Sequence, residues 1–497
     1  MPVEDHARPL RLKGNDWSPV PEPELREWSP RLKASVVLPA YGAQEKLDLA
    51  LAALAAQDYP SDLTEVVVVD DHSDPPLALP EVRPDDTRLI TSEAGGWGSG
   101  HAMNAGIAAA TGDVVVRLDS DMVPFRDHVS AHLWYHHHCD YLVVLGHKRF
   151  VAWDPERHGA AEVRDAVAAG EAAELFDESQ PHWIENYIGD HDRLRHTSSD
   201  LFRVFTGATH SARKDLLDRA GGYDADLKLG SDTEIGYRLI QAGAVFVPDS
   251  ASSSWHLGLG QMKTDGDAGR VQRLPYLTQR IPLYRHRRVS PSRVWRVPLV
   301  DVRVDFPEGT TVDQLDDLVA PLLGGSVGDI RVTVVNPAPQ EAGSRGKVLG
   351  ADGSHWPLVE ELYSGEPRVV LAAEPADDPA VPFTLHWRRG KAAKDTVKTL
   401  VDRMERDRLG VLDALGAAEA TMVRTAARSR ARLVGAEDEH AALGELWGSG
   451  SIDLREPADE ATVYRPHVRG ENSGVRRLAR NMLSAGQRQR IKRLLGR

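Results

Sequence analysis

Cysteine is almost absent from this chain of 497 residues, which contains only Cys139. A single cysteine excludes an internal disulfide and any zinc site built from several cysteines. A reducing compartment such as the cytoplasm is compatible with this composition.

Long apolar runs are also lacking. No segment approaches the roughly 20 apolar residues that a membrane-spanning helix needs, and the run Val66–Val69 is one of the longest. The first five residues lack the basic-then-apolar order of a secretory signal. We therefore expect a cytoplasmic protein, in which any membrane association is peripheral and on the inner face.

Positive charge is in deficit, with 60 Lys and Arg against 74 Asp and Glu and a formal net charge of −14. Nucleic acid is therefore not an expected partner, because its phosphate backbone would be repelled overall. Hydrophobic residues make up 41% and charged residues 27% of the chain, which is typical of globular proteins. The length predicts two or three domains.

Regular structure is predicted from Ala34 onward. An apolar run at Ser35–Pro39, helical spacing at residues 47–55 and a second apolar run at Glu65–Val69 indicate a strand–helix–strand unit in a parallel sheet. Asp70 and Asp71 follow the second strand. They are interpreted either as a turn signal or as ligands for a uracil imide or a ribose hydroxyl at the carboxyl edge of the sheet.

A second pair of carboxylates, Asp119 and Asp121, follows the apolar strand Val114–Leu118. Two carboxylates one residue apart can hold Mn²⁺ or Mg²⁺ while leaving positions open for phosphate oxygens. Such a cation would neutralise a diphosphate leaving group. The alternative is a solvated loop, which the triplet taken alone favours; the strand before it and Asp70–Asp71 at another strand end favour the ligand hypothesis.

Three further features each have two interpretations. Asp232 stands at a predicted helix start, as a helix cap or as a general base for an acceptor hydroxyl. His256 follows a predicted strand, as a structural histidine or as a third metal ligand. The run His136–His138 beside Cys139 suggests zinc, but consecutive histidines point in different directions, which argues against it.

Taken together, the motifs resemble the large family 2 of inverting glycosyltransferases, which has the GT-A fold. The resemblance covers about residues 34 to 260. Its blocks are Val36–Tyr41, Gln57–Pro60, Val68–Ser73, Gly98–Gly106, Ala110–Asp113, Leu118–Asp121, Thr206–Ala208, Gly221–Asp224 and Asp232–Arg238. Ser231 and Gly42 depart from the Glu and Asn that the family often has.

The resemblance implies an inverting, metal-dependent hexosyl transfer from a nucleotide-diphosphate sugar to a glycan or lipid-linked acceptor. Asp232 would be the general base, and Asp119, Asp121 and His256 would hold the metal. The nucleotide sugar would be bound by Pro39, Tyr41, Asp70, Asp71, Asn104 and Asp119.

Two rival functions are weighed against this transfer. A catalytically idle nucleotide-sugar-binding or scaffold protein would have no reason to retain Asp119, Asp121 and Asp232 together. A sugar-1-phosphate nucleotidyltransferase should have a glycine- and arginine-rich loop after its first strand, where this chain has Ala40–Gln44.

The predicted fold class is α/β: a GT-A, Rossmann-like domain, a smaller α/β domain and a helical C-terminal tail. The expected limits are a lead-in at 1–33 that packs through Trp17 and Trp28, the GT-A domain at 34–289, the second domain at 290–434 and a C-terminal segment at 435–497. The second domain is either a degenerate GT-A-like repeat that binds no nucleotide or an unrelated module. A long helical stretch is predicted over Ala392–Val434.

The last residues, from Val475 to Arg497, are rich in arginine and have apolar residues at helical spacings. One interpretation is a basic amphipathic helix that contacts an anionic membrane. The other is a solvated tail, or one docked on the protein's own acidic surface.

Overall fold

Short apolar runs alternating with helical segments form two β-sheets in the computed structural model. The structure describes residues 9–25, 28–196, 199–259, 261–288, 290, 293–307, 309–336 and 356–454. All of these belong to one compact unit that spans residues 1–456. The domain limits given above remain predictions.

The first sheet contains nine strands among the described residues. They are β1 (Ala34–Ala40), β2 (Thr64–Asp70), β3 (Thr87–Thr91), β4 (Val114–Leu118), β5 (Met122–Pro124), β6 (Leu142–Val151), β7 (Gln180–Pro181), β8 (Thr209–Arg213) and β9 (Val245–Leu257). Their order is β3-β2-β1-β4-β8-β6-β9-β5, with β7 beside β6. The first four are parallel, whereas β8 is antiparallel to both β4 and β6.

Helices cover both faces of this sheet. They are α1 (Gln44–Leu54), α2 (Ser99–Ala109), α3 (His128–His136), α4 (Ala160–Ala169), α5 (Trp183–Asp190), α6 (Lys214–Arg219), α7 (Ser231–Gln241) and α8 (Gln261–Arg280). Successive strand residues point to opposite faces, so Val36 packs with Leu47 of α1 and Val37 with Met103 of α2. The predicted α/β class with a GT-A domain is confirmed.

The second sheet repeats the strand–helix–strand order. Its strands are β10 (Val300–Asp305), β11 (Ile330–Val335), β12 (Val369–Ala372), β13 (Phe383–Gly390), β14 (Val411–Gly416), β15 (Ala418–Arg424) and β16 (Ser449–Leu454). Its helices are α9 (Val312–Leu323), α10 (Trp356–Tyr363), α11 (Thr396–Arg406), α12 (Thr425–Leu433) and α13 (Glu439–Leu446). The order is β12-β11-β10-β13-β15-β14-β16, parallel from β12 to β13.

The predicted long helix over residues 392–434 is wrong. Only its two ends are helical, and β14 and β15 form an antiparallel hairpin between them. Gly416 turns the chain there with φ of 91°, which glycine adopts without a steric cost. Residues such as Leu412 and Met422 favour helices in isolation, but pairing and burial in the sheet outweigh that propensity.

Helix α4 is short, with ten residues from Ala160 to Ala169. α4 ends at Ala169 because Gly170 takes the left-handed conformation, with φ of 80°. A left-handed glycine is the usual way in which an α-helix terminates.

The lead-in packs as predicted. Trp17 is fully buried, and its indole Nε1 donates to the carbonyl of Arg193 at 2.9 Å. Trp28 is half-buried against Trp134, with ring centroids 5.3 Å apart.

The C-terminal tail lies outside the described residues, so both interpretations of it stay predictions. Among the residues that are described, no helix has the length and apolar character needed to cross a bilayer.

Candidate active site

The carboxylates expected from the sequence converge at one edge of the first sheet. β2, β1 and β4 are adjacent and parallel, so their carboxyl ends share an edge. Asp70–Asp71, Tyr41 and Asp119–Asp121 follow those three strands. This edge is where open α/β sheets bind ligands.

Arg117 of β4 joins the two halves of the site. Its Nε donates to Asp119 Oδ1 at 2.9 Å, and its Nη1 donates to Asp232 Oδ1 at 2.8 Å. The guanidinium is buried, whereas the side chains of Asp119 and Asp232 are 29% and 31% exposed. Burial alone would lower the pKa of Arg117, but the two carboxylates hold it above its usual value. The site therefore presents two carboxylates to solvent from one buried cation.

Gly207 makes room for this bridge. A Cβ at position 207 would lie 2.5 Å from Arg117 Nη2 and 2.8 Å from Asp232 Oδ1, which is closer than van der Waals contact allows. The Thr206–Ala208 segment therefore needs glycine at its centre for steric reasons.

Asp121 and His256 lie together on the other side of Asp119. β5 pairs with β9, and Met122 lies opposite His256 in that pairing. The backbone N–H of Leu257 donates to the carbonyl of Asp121 at 2.9 Å. His256 Nε2 is 3.7 Å from Asp121 Oδ1, and Lys46 Nζ is 3.7 Å from Asp121 Oδ2. Burial raises the pKa of Asp121 and lowers the pKa of His256. The electrostatic attraction between the two side chains partly opposes both shifts.

The residues of this pair fit a divalent cation. The Gly258 carbonyl, which can only accept, is 3.1 Å from His256 Nδ1 and places the ring proton there. In the neutral ring, Nε2 then directs a lone pair at the Asp121 carboxylate, so two acceptors face each other. Three or more His, Cys, Asp or Glu side chains grouped to hold a metal are not found in the described part of the chain. A cation would thus take Asp121 and His256 and complete its shell with ligand oxygens.

Asp70 and Asp71 are both engaged within the protein. Asp70 accepts from the backbone N–H of Ser73 and of Leu77, at 2.9 and 3.1 Å. Burial by itself would raise the pKa of Asp70, but these hydrogen bonds lower it. Asp71 accepts from Ser92 Oγ at 2.8 Å and from the backbone N–H of Gly98 at 2.6 Å. The turn interpretation accounts for both oxygens of Asp70, and Asp71 ties the glycine-rich loop to the sheet.

Three other predicted binding residues differ in accessibility. Pro39 is buried in β1, opposite Val69 of β2. Tyr41 is 73% exposed at the strand end. The amide of Asn104 forms two hydrogen bonds of 2.8 Å with the backbone of Tyr223 and so holds the Gly221–Asp224 turn. Contacts of these three residues with a nucleotide remain predictions.

Comparison with known proteins decides the identity of this part of the chain. Residues 35–219 match the family described as Glycosyl transferase family 2. They form a family 2 glycosyltransferase domain. The resemblance seen in the sequence motifs is thereby confirmed over residues 35–219, which include Asp71, Asp119 and Asp121, whereas Asp232 and His256 lie beyond the matched residues.

Curated relatives of this part of the chain are named glycosyltransferases. The uncharacterized glycosyltransferase YfnE of Bacillus subtilis is 35% identical over 117 residues, which is 23% of this chain and 30% of YfnE. The probable glycosyltransferase YdaM of the same organism is 27% identical over 232 residues, or 44% of this chain and 50% of YdaM. The chain thus spans half or less of the length of these relatives.

Solved structures are more distant. The mannosyltransferase PcManGT from Pyrobaculum calidifontis, in complex with GDP-Man and Mn²⁺, is 20% identical with a TM-score of 0.34. The alignment covers 50% of this chain and 64% of PcManGT.

Sequence reasoning missed two basic residues of the family 2 domain, Arg117 and Lys148. Lys148 of β6 is buried, and its Nζ donates to Thr206 Oγ1 at 2.9 Å. Burial lowers the pKa of Lys148 to about 8, although Asp119 and Asp232 oppose that shift. The available signal was a basic residue inside an otherwise apolar strand, Arg117 in β4 and Lys148, followed by Arg149, in β6. An unpaired buried charge is costly and indicates a carboxylate nearby.

The consecutive histidines point in different directions, as expected. His136 contacts Ser211 Oγ at 2.8 Å, whereas His137 Nδ1 lies 2.7 Å from the Leu133 carbonyl and His138 Nδ1 lies 2.9 Å from that of Trp134. These separate partners leave no shared position for a zinc ion.

Proposed function

We propose that the family 2 domain transfers a sugar from a nucleotide-diphosphate sugar to an acceptor hydroxyl, with inversion at the anomeric carbon and Asp232 as the general base. The observation that carries this proposal is the bridge formed by Arg117. Asp119, which follows β4, and Asp232, at the start of α7, accept hydrogen bonds from the same guanidinium. Donor and acceptor groups would meet between these carboxylates.

The surroundings of Asp232 support its role as base. Oδ1 is fixed by Arg117, and Oδ2 receives no hydrogen bond from the described residues. Asp232 lies in the first turn of α7, so the helix N-terminus and the guanidinium both orient its carboxylate. A free, oriented carboxylate oxygen is what a base needs to accept the proton of an attacking hydroxyl.

A divalent cation, Mn²⁺ or Mg²⁺, fits at Asp121 and His256, with Asp119 nearby. When bound, it would supply positive charge to the diphosphate leaving group. Lys46, 3.7 Å from Asp121, and the buried Lys148 add fixed positive charge on the same side. The donor sugar would lie over Asp119, and the exposed ring of Tyr41 is available to the nucleotide base.

The test compares wild type with Asp232→Asn in two assays. Donors are a panel of UDP and GDP sugars with Mn²⁺, and the readouts are donor turnover and the thermal shift caused by each donor. We expect turnover to fall roughly a hundredfold or more, because the base is lost, while the thermal shift persists. A variant that loses donor binding but retains turnover at saturation would refute the assignment.

The alternative, an idle nucleotide-sugar-binding protein, is distinguished in the same experiment. It predicts a donor-dependent thermal shift in wild type with no turnover of any donor. Turnover that Asp232→Asn abolishes excludes it.

A further inference from the structure

The second sheet contains a small cavity with an excess of positive charge. Its volume is about 150 Å³, several times the roughly 30 Å³ occupied by one water and below the range of about 300–1,000 Å³ of sites for drug-sized ligands. Pro298, Gly328–Asp329 and Pro367–Arg368 line it, and they directly precede β10, β11 and β12. It therefore lies at the amino ends of three parallel strands, away from the edge that family 2 chemistry would use in the first sheet.

Two buried donors, one lining this cavity and one beside it, have no acceptor among the described residues. Trp295 lines the cavity and is 7% exposed, yet its indole Nε1 has no hydrogen-bond partner. Arg288 does not itself line the cavity; it is 4% exposed, its guanidinium lies 4.9 Å from the centroid of the Trp295 ring, and its Nη2 is likewise without a partner among the described residues. A buried donor left without an acceptor costs about 1–3 kcal/mol. Because no described residue supplies an acceptor, two such donors side by side favour the binding of an external one.

The carboxylate at the cavity is already used. Asp329 accepts from Arg285 Nη1 at 2.7 Å and from Arg288 Nη1 at 3.1 Å, so one negative charge is shared between two guanidiniums. Its Oδ1 also accepts from the backbone N–H of Leu299 at 3.2 Å. Burial lowers the pKa of Arg288 even with this partner. Asp329 therefore cannot satisfy the remaining donors.

Four arginines line the cavity, and they differ in whether a carboxylate neutralises them. Arg331 is paired with Asp301 and Asp378, and Arg368 with Glu366. Arg293 and Arg296 line the same cavity and are exposed, and within the described ranges neither guanidinium has an ion pair with a carboxylate. The cavity thus combines spare donors with surplus positive charge.

We propose that this cavity binds a phosphate group, either inorganic phosphate or a phosphomonoester. An ionised phosphate has only acceptors and matches a site that has spare donors and surplus positive charge. Its several oxygens can accept at once from Trp295 Nε1 and from the exposed guanidiniums of Arg293 or Arg296, and Arg288 adds a buried positive charge beside the Trp295 ring. Guanidinium donors suit this geometry better than ammonium groups do. The site is separate from the proposed transfer reaction and does not depend on it.

The experiment is a thermal-shift titration of the full chain, because a ligand that binds the native state raises its unfolding temperature. Inorganic phosphate and glycerol 3-phosphate are the two arms, each against chloride at matched ionic strength. The variants are Trp295→Phe, which removes the indole N–H and keeps an aromatic ring, and the exposed double change Arg293→Gln with Arg296→Gln. Arg287→Gln, an exposed arginine on the same segment outside the cavity, is the matched control.

We expect a saturable shift in wild type and in Arg287→Gln, and an apparent Kd weaker by about tenfold or more in both cavity variants. A shift with both probes, or with one of them, supports the site and identifies its source of phosphate. If Trp295→Phe does not fold, the double variant alone decides. No shift beyond that of chloride, or identical titrations in wild type and the double variant, would overturn the proposal.

Discussion

Asp121 is the residue on which metal dependence should rest. Its carboxylate faces the lone pair of His256 Nε2 at 3.7 Å, an arrangement that a divalent cation would stabilise. Asp121→Asn should therefore abolish the extra thermal stabilisation that Mn²⁺ adds to UDP or GDP binding, while the metal-free melting temperature changes little. Asp165→Asn, an exposed aspartate on α4 paired with its neighbour Arg164, is the control. Equal Mn²⁺-dependent shifts in the two variants would contradict the metal assignment.

Gly207 offers a second test at the scale of one residue, and it needs no change to a charged group. In Gly207→Ala the new methyl would meet both Arg117 and Asp232, so the bridge must separate. We expect turnover to fall at least tenfold while the protein stays folded. Gly189→Ala is the matched control, since its Cβ would contact nothing within 4 Å. Because Gly189 lies within α5, alanine at this position should raise the free energy of unfolding by about 0.5–1 kcal/mol. Unchanged turnover in Gly207→Ala would show that the bridge is not needed.

At the scale of an element, α3 presents a stripe of buried histidines to β8. His128, His132 and His136 are four residues apart and are linked through Thr209 Oγ1 and Ser211 Oγ, with contacts of 2.8–3.2 Å. Burial lowers the pKa of His128 to about 4 and that of His136 to about 3. The stripe is therefore neutral and acts as a hydrogen-bonded layer between helix and sheet.

This stripe predicts a loss of stability in mild acid. As the pH falls, the unfolded chain binds a proton at each histidine near pH 6.5. In the folded protein the pKa is about 4 for His128, about 3 for His136 and well below its usual value for His132, because all three are buried. The free energy of unfolding should therefore fall below about pH 6.5, by about 1.4 kcal/mol per histidine between pH 7.5 and about pH 5.5. Urea unfolding at both pH values measures it. His136→Gln should reduce the fall by one histidine's share, and the exposed His440→Gln should not. Identical pH dependence in the two variants would show that His136 is not the source.

At the scale of the whole molecule, Arg430 of α12 connects parts of the chain that are far apart in sequence. It is 1% exposed and donates to the carbonyls of Leu12, Gly14, Gly243 and Ala244. Its guanidinium also lies 4.4 Å from the centroid of the Trp447 ring. Burial lowers the pKa of Arg430 to about 10. The lead-in, the first sheet and the helices of the second sheet thus meet at one cation.

Arg430→Lys should lower the free energy of unfolding by about 2–4 kcal/mol, because an ammonium group cannot reach four carbonyls and each buried acceptor left unpaired is costly. Arg432→Lys is the control: this exposed arginine of the same helix pairs with Asp377, and its replacement should cost about 0.5 kcal/mol or less. Urea unfolding compares the two. A similar unfolding midpoint in both variants would show that Arg430 does not hold these segments together.

The elements that build the site could be predicted from local sequence. The strand that ends at Asp70, the strand before Asp119 and the helix that begins beside Asp232 all follow from apolar periodicity. Periodicity reports which face of an element is buried, and that is a local property. It failed at residues 392–434, where pairing of β14 with β15 decided the conformation of a segment rich in helix-forming residues.

What the sequence by itself determined is therefore the set of elements and the edge of the sheet at which the carboxylates lie. The tertiary structure alone decided how those carboxylates are used. Arg117, which also holds Asp119, is 115 positions from Asp232 in the sequence. No local sequence pattern predicts a contact between residues so far apart. The same holds for the unpaired donors of Arg288 and Trp295, since a missing hydrogen-bond partner becomes visible only when every neighbour in space is known.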